Sequence, residues 1–455
     1  MPCFRKTILA LSMACLAGPA LAETDLQAEI DALKDRLSKL EQRNADLEQA
    51  LDSDRISDRE PELATRIKAV ENDVNQLKPA GKLSEALNGV SVGASITTVA
   101  QQASHTVAGE AQSQLNWRGD VEVNAPAGEL GNATGKVYMH LRMGQGEGLK
   151  INGGTPVNAT VFKLHGNGDD SNASVILAQA WYQMDIPLPL GGVKDDSRQH
   201  LEVTVGKIDP YGFFDQNNGS DDESAKNLNL LFVHNPLLDA GGGAVFDQYG
   251  FTPGARVGYF SEQDSPERWG VSLGVFATGG GAQFDDSFSH PFSILQFETT
   301  RRLFDGQEGN YRLYAWNTDR GTMFDDTEEK QSGWGLSADQ RLGDGLTLWG
   351  RYGQGIKGHP QYDQALTVGM NFSGNYWGRG KDMAGLSLGY LRASDDYRAS
   401  SSTSVAAEQV AEAYYNWALV PKVVLTPDVQ YIRHPGADSR NDDVVVLGLR
   451  ATLSM

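Results

Sequence analysis

The sequence predicts an all-β fold, an antiparallel transmembrane β-barrel, preceded by an N-terminal α-helical coiled coil. Three observations lead to this prediction. Apolar residues repeat in heptads before residue 79. From residue 90 to the C-terminus, about sixteen segments alternate apolar and polar residues, as membrane strands do. After residue 22, no apolar run approaches the roughly 18 to 20 residues that a membrane helix needs.

The composition is acidic and rich in glycine. The 455 residues include 39 Lys and Arg against 59 Asp and Glu, which gives a formal net charge of −20. A nucleic-acid partner is therefore not expected, because binding to phosphates needs a basic surface. The 51 glycines suit a chain of many short strands and turns.

Residues 1–22 have the three parts of a secretory signal peptide. A basic start is followed by an apolar core over residues 8–16 and an A-x-A cleavage site at residues 20–22. Both cysteines lie inside this segment, so no disulfide is expected in the exported chain. The alternative is a lipoprotein cleavage before Cys15, which residues 12–14 fit poorly.

The heptad pattern predicts that residues 23–78 form a periplasmic coiled-coil stalk. Apolar residues are spaced alternately by four and three, and an asparagine at one core position fixes the register at some cost in stability. The core positions are Leu26, Ile30, Leu33, Leu37, Leu40, Asn44, Leu47 and Leu51. We expect the stalk to associate copies of the chain as a homotrimer. The pattern also allows a dimer, or one amphipathic helix packed on its own domain.

Residues 79–89 form the predicted linker between the stalk and the barrel. A proline and a glycine at its start end the heptad pattern, and a short helix can follow them. Lys82, Leu83 and Leu87 are the candidate residues of a plug-like helix at the entrance of the barrel, which occupies residues 90–455.

The alternating segments fit either a soluble sandwich or a membrane barrel. In the last segment, for example, Leu447 and Leu449 alternate with Gly448 and Arg450. A sandwich buries its apolar face, whereas a membrane barrel turns that face to lipid and lines a watery interior with the polar face. Strands that continue to the last residue, aromatic residues at strand ends and the signal peptide favour a barrel in contact with the lipids of a Gram-negative outer membrane.

The connections between segments alternate in length. Long polar stretches at residues 144–173, 215–254, 279–291 and 394–404 predict external loops, and short ones such as residues 341–345 predict periplasmic turns. The aromatic residues that we expect in interface girdles are Trp117, Trp181, Tyr182, Trp269, Tyr311, Trp349, Tyr376, Trp377, Tyr414, Tyr415, Trp417 and Tyr431.

The inward faces of the predicted strands carry charges of both signs. The candidate pore-lining residues are Arg118, Asp120, Glu122, Tyr138, His140, Arg142 and Arg351. Such a lining sets a transverse field without a simple ion preference. The eight histidines lack metal-ligand spacing, and no nucleophile or phosphate-binding motif is present, so we expect no catalytic site, no metal and no cofactor.

Several stretches resemble the OprB-type carbohydrate-selective outer-membrane porins. They are EAYY at 412–415, LTPDVQYI at 425–432, HPG at 434–436, VLGLR at 446–450, GKIDP at 206–210, FDQN at 214–217, GR at 378–379 and GLSLG at 385–389. The resemblance implies a barrel of sixteen strands that passes sugars and other small solutes by passive diffusion, without a catalytic site. Two features depart from the family: the final residue is Met455, and a long coiled coil precedes the barrel.

A stalk, a short helix and a barrel also resemble the Fap channel, which exports functional-amyloid subunits. On this alternative the solute is an unfolded polypeptide, the short helix is a plug and the barrel has nearer twelve strands. A third hypothesis is a structural tether, because a helix from Leu26 to Leu51 would reach about 40 Å at roughly 1.5 Å per residue.

Overall fold

The computed structural model describes residues 39, 42, 89–151, 159, 164, 172–190, 197–238, 246–247, 249–278, 289–401 and 405–455. The chain divides into two compact units, Met1–Asn88 and Gly89–Met455. The signal peptide, the heptad positions and the plug residues Lys82, Leu83 and Leu87 lie outside the described residues. In the first unit, Lys39 and Gln42 are described, and both are helical. Within the described residues, no helix is long and apolar enough to cross a bilayer.

The second unit is a closed antiparallel barrel. Each strand pairs with its neighbour in sequence, and β1 closes the ring on β16, with Thr98 opposite Ala451. In the described residues, the sixteen strands are β1 Ser91–Ala103, β2 Ser113–Leu130, β3 Ala133–Gln145, β4 Ser174–Leu188, β5 Gln199–Ile208, β6 Thr252–Ser261, β7 Arg268–Phe276, β8 Phe292–Leu303, β9 Gln307–Thr322, β10 Glu328–Leu342, β11 Leu346–Lys357, β12 Tyr362–Ser373, β13 Met383–Ala393, β14 Glu408–Val420, β15 Val423–Arg433 and β16 Val444–Ser454. The prediction of about sixteen strands is confirmed, and a count near twelve is wrong.

The apolar face of the strands points outward, as the membrane interpretation predicts. Leu273 of β7 is 49% exposed and Leu447 of β16 is 57% exposed, whereas the inward-pointing Arg450 is fully buried. Ring closure leaves no unpaired strand edge, so the backbone can be surrounded by lipid at no cost in lost hydrogen bonds. The outer surface therefore suits contact with acyl chains.

The two ends of the barrel differ in the length of their connections. Short turns lie at the end that holds both chain termini of the barrel, which we call the turn end. One of them, between β10 and β11, contains Gly343 in the left-handed region at φ +62°. Longer connections lie at the opposite end, the loop end, and include residues 209–251 between β5 and β6. The long stretches predicted at residues 144–173 and 394–404 lie at the loop end, and the short turn predicted at 341–345 lies at the turn end. The alternation is not regular, because the loop-end connections at 323–327 and 358–361 are shorter than the turn-end connection at 374–382.

In the described part of the connection from β5 to β6, residues 213–238 fold into the barrel, so our prediction that residues 215–254 form an external loop is wrong for these residues. Residues 213–229, which we call the collar, lie against the inner wall. They lead into a short helix, α1 Leu230–Val233, whose N-cap Asn229 accepts a hydrogen bond from the Leu231 amide. Residues 228 and 231–233 are buried.

Apolar side chains also fill part of the interior, which corrects the expectation that the inner face is polar throughout. One cluster joins Leu231 and Phe232 of α1 to inward residues of β11–β16, which include Trp349, Ile432 and Val446. A second cluster joins Phe214 of the collar to inward residues of β7–β9, which include Phe276, Phe292, Ile294 and Trp316. Trp349 and Tyr414, which we expected in the interface girdles, are both 4% exposed and point inward.

Candidate permeation pathway

The collar follows the inner wall through most of its circumference. Its segment is rich in Asn, Asp and Ser, whose short side chains and adjacent backbone groups bond to polar residues of successive strands. The contacts, from β8 round to β16, are the Asp215 amide to Gln296 at 2.9 Å, Asn217 to Ser337 at 3.1 Å, Asn371 to the Gly219 carbonyl at 2.6 Å, Asn227 to Ser387 at 2.8 Å, Asn229 to Gln430 at 2.9 Å and Arg450 to the Lys226 carbonyl at 2.7 Å. The collar is therefore a fixed lining of the barrel.

Asp215 and Arg351 form the most deeply buried anchor of the collar. The Arg351 Nε lies 3.1 Å from the Asp215 carboxylate, and neither side chain is more than 1% exposed. Tyr314 donates to the same carboxylate at 2.8 Å, and the Asn235 amide donates at 2.6 Å. Burial raises the pKa of Asp215, although Arg351 and Tyr314 favour its ionised form. Arg351, a predicted pore-lining residue, thus points inward but lies beneath the collar.

Glu412 of β14 is a second anchor. Its two carboxylate oxygens accept hydrogen bonds from the Leu228 amide at 2.6 Å and the Asn229 amide at 3.1 Å. The side chain is 1% exposed. Because these amides belong to the last two residues before α1, Glu412 holds the point at which the collar ends and the helix begins.

The middle of the collar meets β2 and β3 through a charge cluster made of Arg118, Asp120, His140, Arg142 and Glu223. The Asp120 carboxylate accepts hydrogen bonds from Arg118, His140 and Arg142, each at 2.8 Å. Arg118 also donates to Glu223 of the collar at 2.8 Å. Four of the seven predicted pore-lining residues are thus brought together, and they hold the collar.

Glu223 stays ionised in this cluster. Burial opposes the charged form, but Arg118 and Arg142 outweigh it and lower the pKa of Glu223 from 4.5 to about 2. At neutral pH the cluster therefore contains two carboxylates and two guanidinium groups in direct contact, so its positive charge is largely neutralised.

The wall formed by β3 and β4 carries an aromatic face, which we define as Tyr138, Trp181 and Phe213. The Tyr138 and Trp181 rings are stacked at 4.9 Å, and Phe213 at the start of the collar packs edge-on against Trp181 at 5.7 Å. All three are partly exposed. The Lys136 amine lies 5.7 Å from the Trp181 ring, and Glu122 of β2 is opposite His140, two residues from Tyr138 on β3.

Sequence reasoning missed several residues of this site. The sequence pattern assigns Trp181 to an interface girdle, places Asp215 and Glu223 in an external loop, and gives Phe213 no role. One signal was available: residues 228–238 are too apolar for a loop that only meets water. Among the described residues, no three His, Cys, Asp or Glu side chains are arranged to hold a metal ion.

A closed sixteen-stranded barrel in the described part of the chain, apolar outside and narrowed inside by an inserted loop, defines an outer-membrane porin. The sequence pattern of the carbohydrate-selective porins of the OprB family matches residues 118–455. The chain belongs to this family, so the first resemblance drawn from the sequence is confirmed. The match begins within β2, after β1 and the segments that precede it.

Solved structures with a similar fold include OprB of Pseudomonas putida. Its high-pH structure has 16% sequence identity and a TM-score of 0.63, covering 83% of this chain and 97% of that one. Its low-pH structure has 15% identity and a TM-score of 0.47, with 83% and 96% covered. A mutant of the Rh. blastica porin has 10% identity and a TM-score of 0.46, with 80% and 100% covered. No curated protein sequence matches this chain.

Proposed function

We propose that this porin is a passive diffusion channel for sugars and other small polar solutes. The observation that carries the proposal is the aromatic face beside groups of mixed charge. A sugar ring has apolar C–H faces that can lie on an aromatic ring, and its hydroxyls need donors and acceptors at its edge. Tyr138 and Trp181 supply the stacking surface, while Glu122, Arg142 and Lys136 supply polar groups near it.

The filling of the interior supports a pathway along β2–β6. The collar and the two apolar clusters occupy most of the wall from β7 round to β16. The collar meets β2 and β3 at Glu223, and its Phe213 packs against Trp181 of β4. The space beside β3 and β4 then receives the exposed side chain of Glu122 and the partly exposed side chains of Tyr138, Arg142 and Trp181. A barrel of this size leaves a water-filled bore when it is not plugged, and the collar would reduce that bore to the dimensions of a small solute.

The test is conductance of the full chain in planar bilayers while glucose or a disaccharide is titrated. We expect sugar to reduce the ion current in a saturable manner and to do so less after Trp181→Leu. An outward-facing substitution, Trp269→Leu, is the matched control and should behave like the unmodified protein. A sugar-independent current would contradict the proposal.

We also propose that the channel is a homotrimer, associated through the coiled coil of residues 23–78, and that a helix containing Lys82, Leu83 and Leu87 restricts its turn end. The heptad pattern supports association. Light scattering of the detergent-solubilised chain should give three copies, and one copy after deletion of the stalk. Deletion of residues 79–89 should raise conductance. An unchanged mass or an unchanged current would contradict the respective part.

The two other hypotheses gain no support from the described residues. The export hypothesis came with a barrel of nearer twelve strands, which is wrong. A tether does not need an interior with an exposed aromatic face and a fixed collar.

A further inference from the structure

The aromatic face continues along the inner wall toward the turn end. The Arg256 guanidinium lies 4.8 Å from the Phe213 ring and 5.2 Å from the Phe260 ring, so it is placed between them. The Phe260 ring in turn stacks on His200 at 5.3 Å with an interplanar angle of 26°. These contacts join Trp181 to His200 by an uninterrupted series of flat groups.

The middle of this series is rigid and covered. Arg256 donates to Glu202 at 2.6 Å and to Ser272 at 3.0 Å, and it is 3% exposed. Phe260 lies close against the wall because Gly270 leaves room for its ring: a Cβ at Gly270 would come within 2.4 Å of it. Arg256 and Phe260 therefore act as supports, and solutes can reach the series only at its two ends.

The end near the turns presents an aromatic ring and a carboxylate together. The side chains of His200 and Glu202 are 25% and 22% exposed, and the two lie 3.8 Å apart. Both point inward from β5, on the same face as the buried Thr204. A partly exposed ring with an adjacent acceptor is the same combination that Tyr138 and Glu122 offer at the other end.

The two ends are far enough apart to hold separate solutes. Trp181 is opposite Gly206 of β5, six positions from His200. At roughly 3.3 Å per residue, the distance along the strand is about 20 Å. A single sugar ring cannot touch both ends at once.

We propose a second sugar-binding site at the turn end, in which the ring of a monosaccharide lies on His200 and its hydroxyls bond to Glu202. The inference rests on the proposed function and adds to it a place where the solute pauses before it leaves. Phe260 fixes the orientation of the His200 ring, Arg256 holds Glu202, and both connect the site to the aromatic face. Solute entering from the turn end meets this site first.

The test is glucose added to one compartment at a time, with the full chain inserted in a single orientation. His200→Leu should weaken current block from the turn-end compartment about threefold to tenfold, the effect of losing one aromatic contact. Block from the loop-end compartment should change less than twofold. Phe260→Leu should act in the same direction, and the lipid-facing Phe297→Leu, the same chemical change on the outer surface, should not.

The outcomes separate the two proposals. If glucose blocks the unmodified channel but His200→Leu changes block from the turn end less than twofold, the second site is wrong and the channel function stands. If glucose blocks neither the unmodified channel nor any variant, both proposals are wrong. Gel mobility of heated and unheated samples shows whether Phe260→Leu still forms a heat-resistant barrel. If it does not, His200→Leu still tests the site, because His200 is partly exposed.

Discussion

Arg118 shows how one side chain joins the collar to the wall. Its guanidinium bonds simultaneously to Asp120 on its own strand and to Glu223 of the collar, each at 2.8 Å. A planar fork with several donors can make both bonds, whereas a lysine amine is a single point of charge. Arg118 therefore connects the collar to β2, and its positive charge is neutralised by its two carboxylate partners.

We predict that Arg118→Lys and Arg118→Ala both loosen the middle of the collar, around Glu223. Each lost bond to a charged group costs about 1.5–3 kcal/mol, so the open-channel current should become noisier and larger. Single-channel recording measures both effects. The control is Arg301→Ala, which removes an ion pair to Glu267 that is much more exposed. Equal noise in the Arg118 and Arg301 variants would show that the cluster does not hold the collar.

The low pKa of Glu223 predicts how the collar responds to acid. Because the folded-state pKa lies below the ordinary 4.5, the ionised carboxylate stabilises the fold above that pH, and this stability is lost as pH falls toward about 2. Current noise should be constant between pH 5 and 7 and rise below about pH 4.

The variant Glu223→Gln should have the acid-like noise already at pH 7 and little further change on acidification. Asp264→Asn, in an exposed turn, is the control and should keep the acid transition of the unmodified protein. A transition that persists unchanged in Glu223→Gln would assign it to other carboxylates.

At the scale of the element, the collar fits the wall without spare room. A Cβ on Gly219 would lie 2.3 Å from the Trp349 Cδ1, whereas nothing lies within 4 Å of the same position on Gly212 in the same connection. Packing an extra methyl into a filled interior typically costs about 1–3 kcal/mol.

We predict that Gly219→Ala displaces the collar and lowers the thermal unfolding midpoint, and that Gly212→Ala changes neither. The sugar block of the current reports the displacement of the collar, and the unfolding transition in detergent, followed by circular dichroism, gives the midpoint. Similar behaviour of the two variants would show that the collar can shift away from Trp349 at no cost.

At the scale of the whole molecule, the orientation of the apolar face predicts where charge is tolerated. Leu273 lies in the middle of β7 and Leu303 at the turn-end terminus of β8, and they are 49% and 45% exposed. Arginine costs about 2–4 kcal/mol at the bilayer midplane and about 0–1 near the interface. Leu273→Arg should therefore reduce folding into lipid vesicles by that amount, while Leu303→Arg should fold nearly normally. Equal folding would mean that lipid does not surround β7.

The sequence by itself determined the strands and the side that each turns to lipid. Alternation with a period of two is local, and one apolar face per strand is visible in any ten residues, as Leu447 and Arg450 show. The charged residues Arg118, Asp120, His140 and Arg142 were assigned to the interior for the same reason. The alternation of the sequence does not indicate which groups these four side chains bond to.

The tertiary structure decided what fills the interior. Asp215 meets Arg351 across 136 residues, and Arg450 meets the Glu223 carbonyl across 227. No local periodicity links partners so far apart in the sequence. The inserted segment is held by polar and apolar groups from many strands, and only the closed barrel brings these groups together. The collar, the burial of Trp349 and the series from Trp181 to His200 therefore depend on ring closure, which brings distant strands to one interior.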